Sequence, residues 1–404
     1  MPFPFCHPTT SSLNFQSYLD STTHPSLPLA TTTQRGIVRA ALKKHRRLTL
    51  QARITDLNNV FNALEGYIPY LFALDASLGG KRIEDEEIDT LLRKELEVEW
   101  RSPVAATIPG RDAPRVKGRG LDYELICTLS TLACTHTMLA RSHLLLLYGI
   151  VTPTSEQRTS IITTATKHLL NAYSIHMYLL SRCGEPDISP VIPETTASIQ
   201  GGLASLALAE ATLLAVLKDD PYPAVVSQER NKNDKEWMIK PPEIPKVRAH
   251  LFARLCLAAA ERANTAESML RASAMGRTGQ VDESFLKYIN DLKRTSRARA
   301  CRFFGIDADL GGETGKAIAW LSGAEAELGF VKPQAEGSKL QGLAKFRKDW
   351  SEKREDKRVL KGGEWGSDAG RLEEARIVDM LKNKWNKMND TVSLIEPSFF
   401  PQHA

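Results

Sequence analysis

GGLASLALAEATLLAVLK (residues 201–218) and VRAHLFARLCLAAAERA (residues 247–263) are the two stretches whose reading decides the fold. Past its opening glycines each lacks Gly and Pro and is rich in Ala and Leu, so both are helix formers of ordinary globular length. Leu203, Leu206, Leu213 and Leu217 make one seam, and Leu208 and Ala215 populate other sides. A helix apolar nearly all round is buried in a larger assembly. Its partner repeats small residues at Ala249, Ala253, Ala260 and Ala263, which lets two helices approach closely. The pair reads as a packed hairpin at the centre of an all-α body.

Working outward, residues 1–34 are rich in Ser, Thr and Pro and carry only Asp20 as a formal charge, which predicts an irregular lead. Phe3, Phe5, Phe15 and Tyr18 are expected to pin that lead onto the body. Helix is predicted from Arg35, and Leu57, Val60, Phe61, Leu64, Ile68 and Leu71 form an amphipathic stripe that SLGGK ends. In LEVEWRSP, Leu96, Val98 and Trp100 alternate with charged residues, a short half-buried strand. VAATI (residues 104–108) is the expected strand partner, ahead of a Gly/Arg-rich loop, PGRDAPRVKGRG. From Leu121 helix dominates to the end, where NDTVSLIEPSFFPQHA reads as an extended tail. The hairpins lack the motif of a regular tetratricopeptide array. One domain, residues 35–396, is expected, with a Pro- and charge-rich insertion at 219–245 and a tail at 397–404. Loops that long between hairpin helices are more often functional or disordered than inert.

The totals exclude several classes. A net charge of +5 over 404 residues is too mild for a nucleic-acid-binding protein by itself. Six scattered cysteines without a CxxC pair read as reduced, buried thiols. The start, MPFPFCHPTT, lacks the basic and apolar regions of a signal peptide, and the apolar run from Leu203 to Leu217 is short for a bilayer and carries Glu210. A soluble, cytoplasmic chain is expected.

Chemical motifs are missing. GGETGK at residues 311–316 departs from a phosphate loop, with Leu310 where a glycine is needed and Ala317 where a hydroxyl is needed; it reads as a helix start. IEDEEID at 83–89 lacks DDxxD spacing and reads as a solvated helix N-terminus. The nine histidines form no HExxH and no zinc spacing, and His136 and His143, seven apart on one helix, read as core histidines. No Ser or Cys sits in a nucleophile elbow. No catalytic residue, metal or cofactor is expected. Residues 345–361 hold eight Lys/Arg against four Asp/Glu, a solvated helix face or else a basic face for an anionic membrane.

Several segments in fixed order resemble the Bro domain of ALIX-type adaptor proteins: VEWRSP, DYELICTLSTLAC, DISP, LASLALAEATLLAVLK, RAHLFARLCLAAAERA, GKAIAWLSGAEAELG and NDTV. MPFPF…PTTSS and PPEIPKVRAHLFARL resemble a fungal branch of that family concerned with ambient alkaline-pH sensing. The resemblance implies a banana-shaped helical solenoid with tetratricopeptide-like hairpins and a small N-terminal β-sheet. It implies a non-catalytic adaptor that binds the C-terminal helix of the ESCRT-III core subunit. It also implies membership of a pathway with a plasma-membrane pH sensor, arrestin-like and protease components, and a zinc-finger transcription factor that is activated by proteolysis. By motif position the binding patch falls on Leu132, Ala215, Leu251 and Leu255, with Lys218 and Arg254 placed to pair with acidic positions of the bound helix. Leu251 and Leu255 are four apart and share one helical face. The family often has an aromatic where this chain has Ala215, and ALIX-like members lack an insertion as long as 219–245. Recruitment to plasma membrane or endosomes is the expected localisation.

Overall fold

A computed structural model describes residues 2–82, 88–106, 113–148, 153–183, 192–230, 246–273, 280–329 and 366–395. Its helices are α1 (Leu27–Arg47), α2 (Leu50–Leu78), α3 (Leu121–Leu145), α4 (Ser155–Arg182), α5 (Ala197–Asp219), α6 (Tyr222–Arg230), α7 (Lys246–Ser273), α8 (Glu283–Leu310), α9 (Thr314–Leu328) and α10 (Arg371–Ile395). Four short strands, β1 (Leu19–Ser21), β2 (Thr90–Leu92), β3 (Glu97–Trp100) and β4 (Val116–Arg119), form two antiparallel pairs, β1 with β2 and β3 with β4. The fold is all-α with a minor β element.

From α1 to α5 each helix packs on the next, α5 then packs on α7, and the succession continues through α8 and α9 to α10. This is the arrangement expected of successive helices that each bury an apolar face against the next. Local signals set the ends. Thr49 and Thr196 cap α2 and α5 through their side-chain oxygens, Thr154 and Gln157 close a reciprocal capping box on α4, and Asp282 accepts two amides at the start of α8.

The hairpin that the sequence nominates is α5 against α7. Ala249, Ala253, Ala260 and Ala263 are all buried. A Cβ on Gly201 would meet the Met269 side chain at 2.8 Å, and one on Gly202 would meet Leu270 at 3.0 Å. The small residues are therefore what the helix separation requires. At 23 residues α5 is long enough to cross a bilayer, contrary to the expectation from its apolar run, but 78% of that window is buried inside the protein.

Polar cores lock the layers. Glu124, 0% exposed, accepts from Arg35 Nε at 3.0 Å, Tyr67 Oη at 2.9 Å and Trp100 Nε1 at 2.6 Å, joining α1, α2, α3 and β3. Arg302, also 0% exposed, donates to Asp220 at 2.7 Å and Glu374 at 2.6 Å, joining α8 to the C-cap of α5 and to α10.

Several expectations need correction. The lead is not irregular to residue 34, because α1 begins at Leu27, where Pro28 in the first turn costs no hydrogen bond. Its aromatics do pin it: Phe3 and Phe5 pack on Phe285, and Phe15 is 0% exposed. β3 pairs with β4 rather than with VAATI, and the β1–β2 pair was not foreseen. Residues 83–87 lie outside the described set, and the strand β2 follows them rather than a helix. The insertion opens with helix α6; residues 231–245 lie outside the described set. α10 continues through NDTV to Ile395, so that segment is helical; residues 396–404 and the basic stretch 345–361 lie outside the described residues. GGETGK caps the end of α8 at Gly311 and leads into α9. The cysteines are free, but Cys6 is exposed.

Candidate functional site

Beyond the first turn of α5 the positions not fully buried are Ser205, Leu208, Thr212, Ala215, Lys218 and Asp219. Steps of three and four place all but Lys218 in one stripe, with Lys218 beside it. On α7, Leu251, Leu255, Ala258 and Arg262 form a stripe by the same spacing. Two contacts tie the stripes together: Arg262 Nη1 donates to Thr212 Oγ1 at 3.0 Å, and Arg248 lies 3.9 Å from Asp219 near the α5 C-terminus. In this antiparallel crossing Ala215 falls between Thr212 and Asp219, opposite the segment that holds Leu251 and Leu255. The result is one partly exposed face, the α5–α7 groove, whose apolar positions are Leu208, Ala215, Leu251, Leu255 and Ala258. Leu251 is 52% exposed, Leu255 is half-buried against the core, and Ala215, Lys218 and Arg254 are exposed.

Leu132 is not part of it. Its side chain is 5% exposed and packs in the core shared by α1, α2 and α3. α3 is buried on every side along STLAC, so no position there offers a free face. Leu208, Thr212 and Ala258 line the groove and were missed. A signal for them existed, since Ser198, Ser205 and Thr212, seven apart, are the hydroxyl residues of an Ala/Leu-rich helix and lie on its less buried side.

Among the described residues no group of three or more His, Cys, Asp or Glu is arranged to hold a metal ion. His136 and His168 meet at 2.9 Å through their Nδ1 atoms, and His143 stacks on His168 at 5.6 Å. Burial, with His168 adding repulsion, pushes His136 down to about 4, so the cluster is neutral at physiological pH. A cleft of about 130 Å³ lies elsewhere, between the lead and α1–α3, lined by residues that include Phe5, His45, Arg53 and Met138. Beside its apolar positions the α5–α7 face carries Lys218, Arg254, Arg262 and the Arg248–Asp219 pair.

The fold is that of a Bro-domain-like helical body. Its neighbours among solved structures are an ALIX Bro1 domain in complex with CHMP4C (TM-score 0.56, 13% identity, 99% of this chain and 92% of that one) and a structure described as the basis for endosomal targeting by the Bro1 domain (TM-score 0.51, 14% identity, 100% and 89%). ALIX in complex with the SIVmac239 PYKEVTEDL late domain also matches (TM-score 0.52, 15% identity, 91% and 45%). No family model matches the chain. The pH-response regulator protein palC of Emericella nidulans is 45% identical over 97% of this chain and 84% of its own length. The palC of Cryptococcus neoformans is 28% identical over 153 residues, which is 35% of this chain and 29% of its own. The chain belongs to the palC family of pH-response regulators.

Proposed function

We propose that this protein is a non-catalytic adaptor of alkaline-pH signalling that binds the C-terminal amphipathic helix of an ESCRT-III core subunit in the α5–α7 groove. The observation that carries the reading is the half-exposed Leu251, which stands beside Ala215 and Leu255 with Lys218 and Arg254 at the edges. An apolar stripe with cationic borders matches a helix that is apolar on one face and acidic on its flanks. The kinship with palC supports the pathway, and the CHMP4C complex of a structural neighbour supports the kind of partner. The protein works in the cytoplasm and reaches plasma membrane or endosomes through its partner, linking the pH-sensor complex, with its arrestin-like and protease components, to proteolytic activation of a transcription factor.

The test is capture of the full-length ESCRT-III core subunit by purified wild-type and variant protein. Leu251→Asp removes apolar contact at a position that the core does not use, so capture is expected to disappear while circular dichroism and the melting temperature stay at wild-type values. Undiminished capture would refute the site. Leu255→Asp is a less clean test, because Leu255 packs partly on the core.

A further inference from the structure

Seven Lys and Arg and no Asp or Glu fall between Asp20 and Asp56, and α1 carries six of them. One, Arg35, is neutralised inside by Glu124, and Lys44 lies 3.6 Å from Asp56. Arg39, also on α1, lies near enough to Arg115 to lower the pKa of its guanidinium. That pair ends with Trp100 opposite Val116, and continuing its register sets Arg101 opposite Arg115. Like charges directly opposed on antiparallel neighbours are destabilising. Both arginines turn to one atom: Arg101 Nη1 donates to Thr9 Oγ1 at 3.0 Å, and Arg115 Nη2 donates to the same oxygen at 3.5 Å. The backbone fixes Thr9 in place, since its carbonyl accepts from the Arg101 amide at 3.2 Å. Arg39 Nε is shielded from water and has no hydrogen-bond partner.

Two guanidiniums, from the end of β3 and the approach to β4, thus converge on one hydroxyl, and Arg39 of α1 is near enough to Arg115 to act on its charge. Their mutual influence is visible at Arg115, whose guanidinium is held below its ordinary range by burial first, then by Arg101, Arg39 and Arg35, with Glu99 acting the other way. Grouped arginines of this kind are costly in an isolated protein and favourable around an anion with several acceptor oxygens, which planar guanidiniums contact in bidentate fashion. Thr9, its oxygen already accepting twice, keeps its own proton to donate.

We infer that Arg39, Arg101, Arg115 and Thr9 form a binding site for a phosphate-bearing ligand. The site lies on α1 and the β3–β4 end, apart from the α5–α7 groove, and is independent of the partner reading. The phosphate belongs either to a soluble polyphosphorylated compound or to a lipid headgroup.

Two probes separate these sources: inositol hexakisphosphate, titrated by calorimetry against the full chain, and phosphatidylcholine vesicles with or without phosphatidylinositol 4-phosphate, assayed by sedimentation. Binding of the first alone assigns a soluble ligand; binding of the phosphoinositide vesicles, competed by the first, assigns a headgroup. Arg39→Gln and Arg115→Gln are each expected to weaken binding roughly ten- to a hundredfold. Lys167→Gln, which removes the same charge from the exposed face of α4, is expected to leave it unchanged. Without ligand, Arg115→Gln should melt no lower than wild type, because it removes one of two opposed cations; a merely structural role for Arg115 predicts a lower melting temperature. The site is overturned if neither probe binds, or if Lys167→Gln weakens binding as much as Arg115→Gln.

Discussion

Arg262 of α7 donates to Thr212 of α5 at 3.0 Å, a polar tie across the crossing one turn from Ala215. Thr212 sits one turn from Ala215, and Arg262 sits two turns from Leu255, so the crossing is anchored just beside the groove and leaves its floor apolar. The arrangement turns a buried hairpin into a surface with a defined width.

The small side chain of Ala215 leaves that floor flat. Ala215→Phe adds apolar area where a bound helix would cross, and no backbone change is needed at an exposed position. Affinity for the ESCRT-III helix is expected to rise by about tenfold, read by fluorescence anisotropy of a labelled peptide. Unchanged or weaker binding would place the bound helix away from Ala215.

The close approach of α5 and α7 predicts a cost at Gly202. A branched side chain there meets Leu270 at 3.0 Å and the Ala266 carbonyl at 3.4 Å. Gly202→Val is expected to lower stability by about 1–3 kcal/mol in urea unfolding, with the slope unchanged.

Removing the hub of the N-terminal polar core is costlier. Glu124→Ala leaves Arg35 buried without its carboxylate, and the Tyr67 and Trp100 donors without an acceptor. A loss of about 3–5 kcal/mol is expected, seen as a lower denaturant midpoint.

Glu210 supplies a pH dependence. It is 4% exposed and accepts from Tyr288 Oη at 2.5 Å, and burial raises its carboxyl to about 7, opposed by Tyr288, Arg141 and the Phe3 amide. A carboxyl raised in the folded state makes the fold bind more protons than the unfolded chain. Its stabilising contribution is full below the ordinary 4.5 and is lost as pH rises through about 7. Glu210→Gln cannot ionise, so wild type should lose on the order of 3 kcal/mol relative to this variant between pH 4.5 and pH 8. Thermal melts of the two proteins across that range check it; parallel curves would contradict the buried, neutralised carboxyl.

The helical body was legible because Ala- and Leu-rich runs at 3.6-residue period leave little choice of structure, and α3, α5 and α7 follow that pattern. The β1–β2 pair was not, since three-residue strands carry too few positions to show alternation. The partner of β3 was misjudged because VKGR has no apolar alternation; its Gly118 is needed for space, a Cβ there meeting the Tyr123 ring at 2.4 Å. For the site, exposure separates residues that spacing alone treats alike. Leu132 and Leu251 both stand on apolar helical stripes, but α3 has neighbours on all sides and α7 has one open edge. The arginines around Thr9 come together only through chain folding, from positions 39, 101 and 115, and no local pattern announces them.

The central claim is most directly tested by isothermal titration of an ESCRT-III C-terminal helix peptide into the wild-type protein and into Leu251→Asp. The account predicts a single-site isotherm for wild type, and a loss of at least about tenfold in affinity for the variant at an unchanged melting temperature. Equal affinity for the two proteins would contradict it.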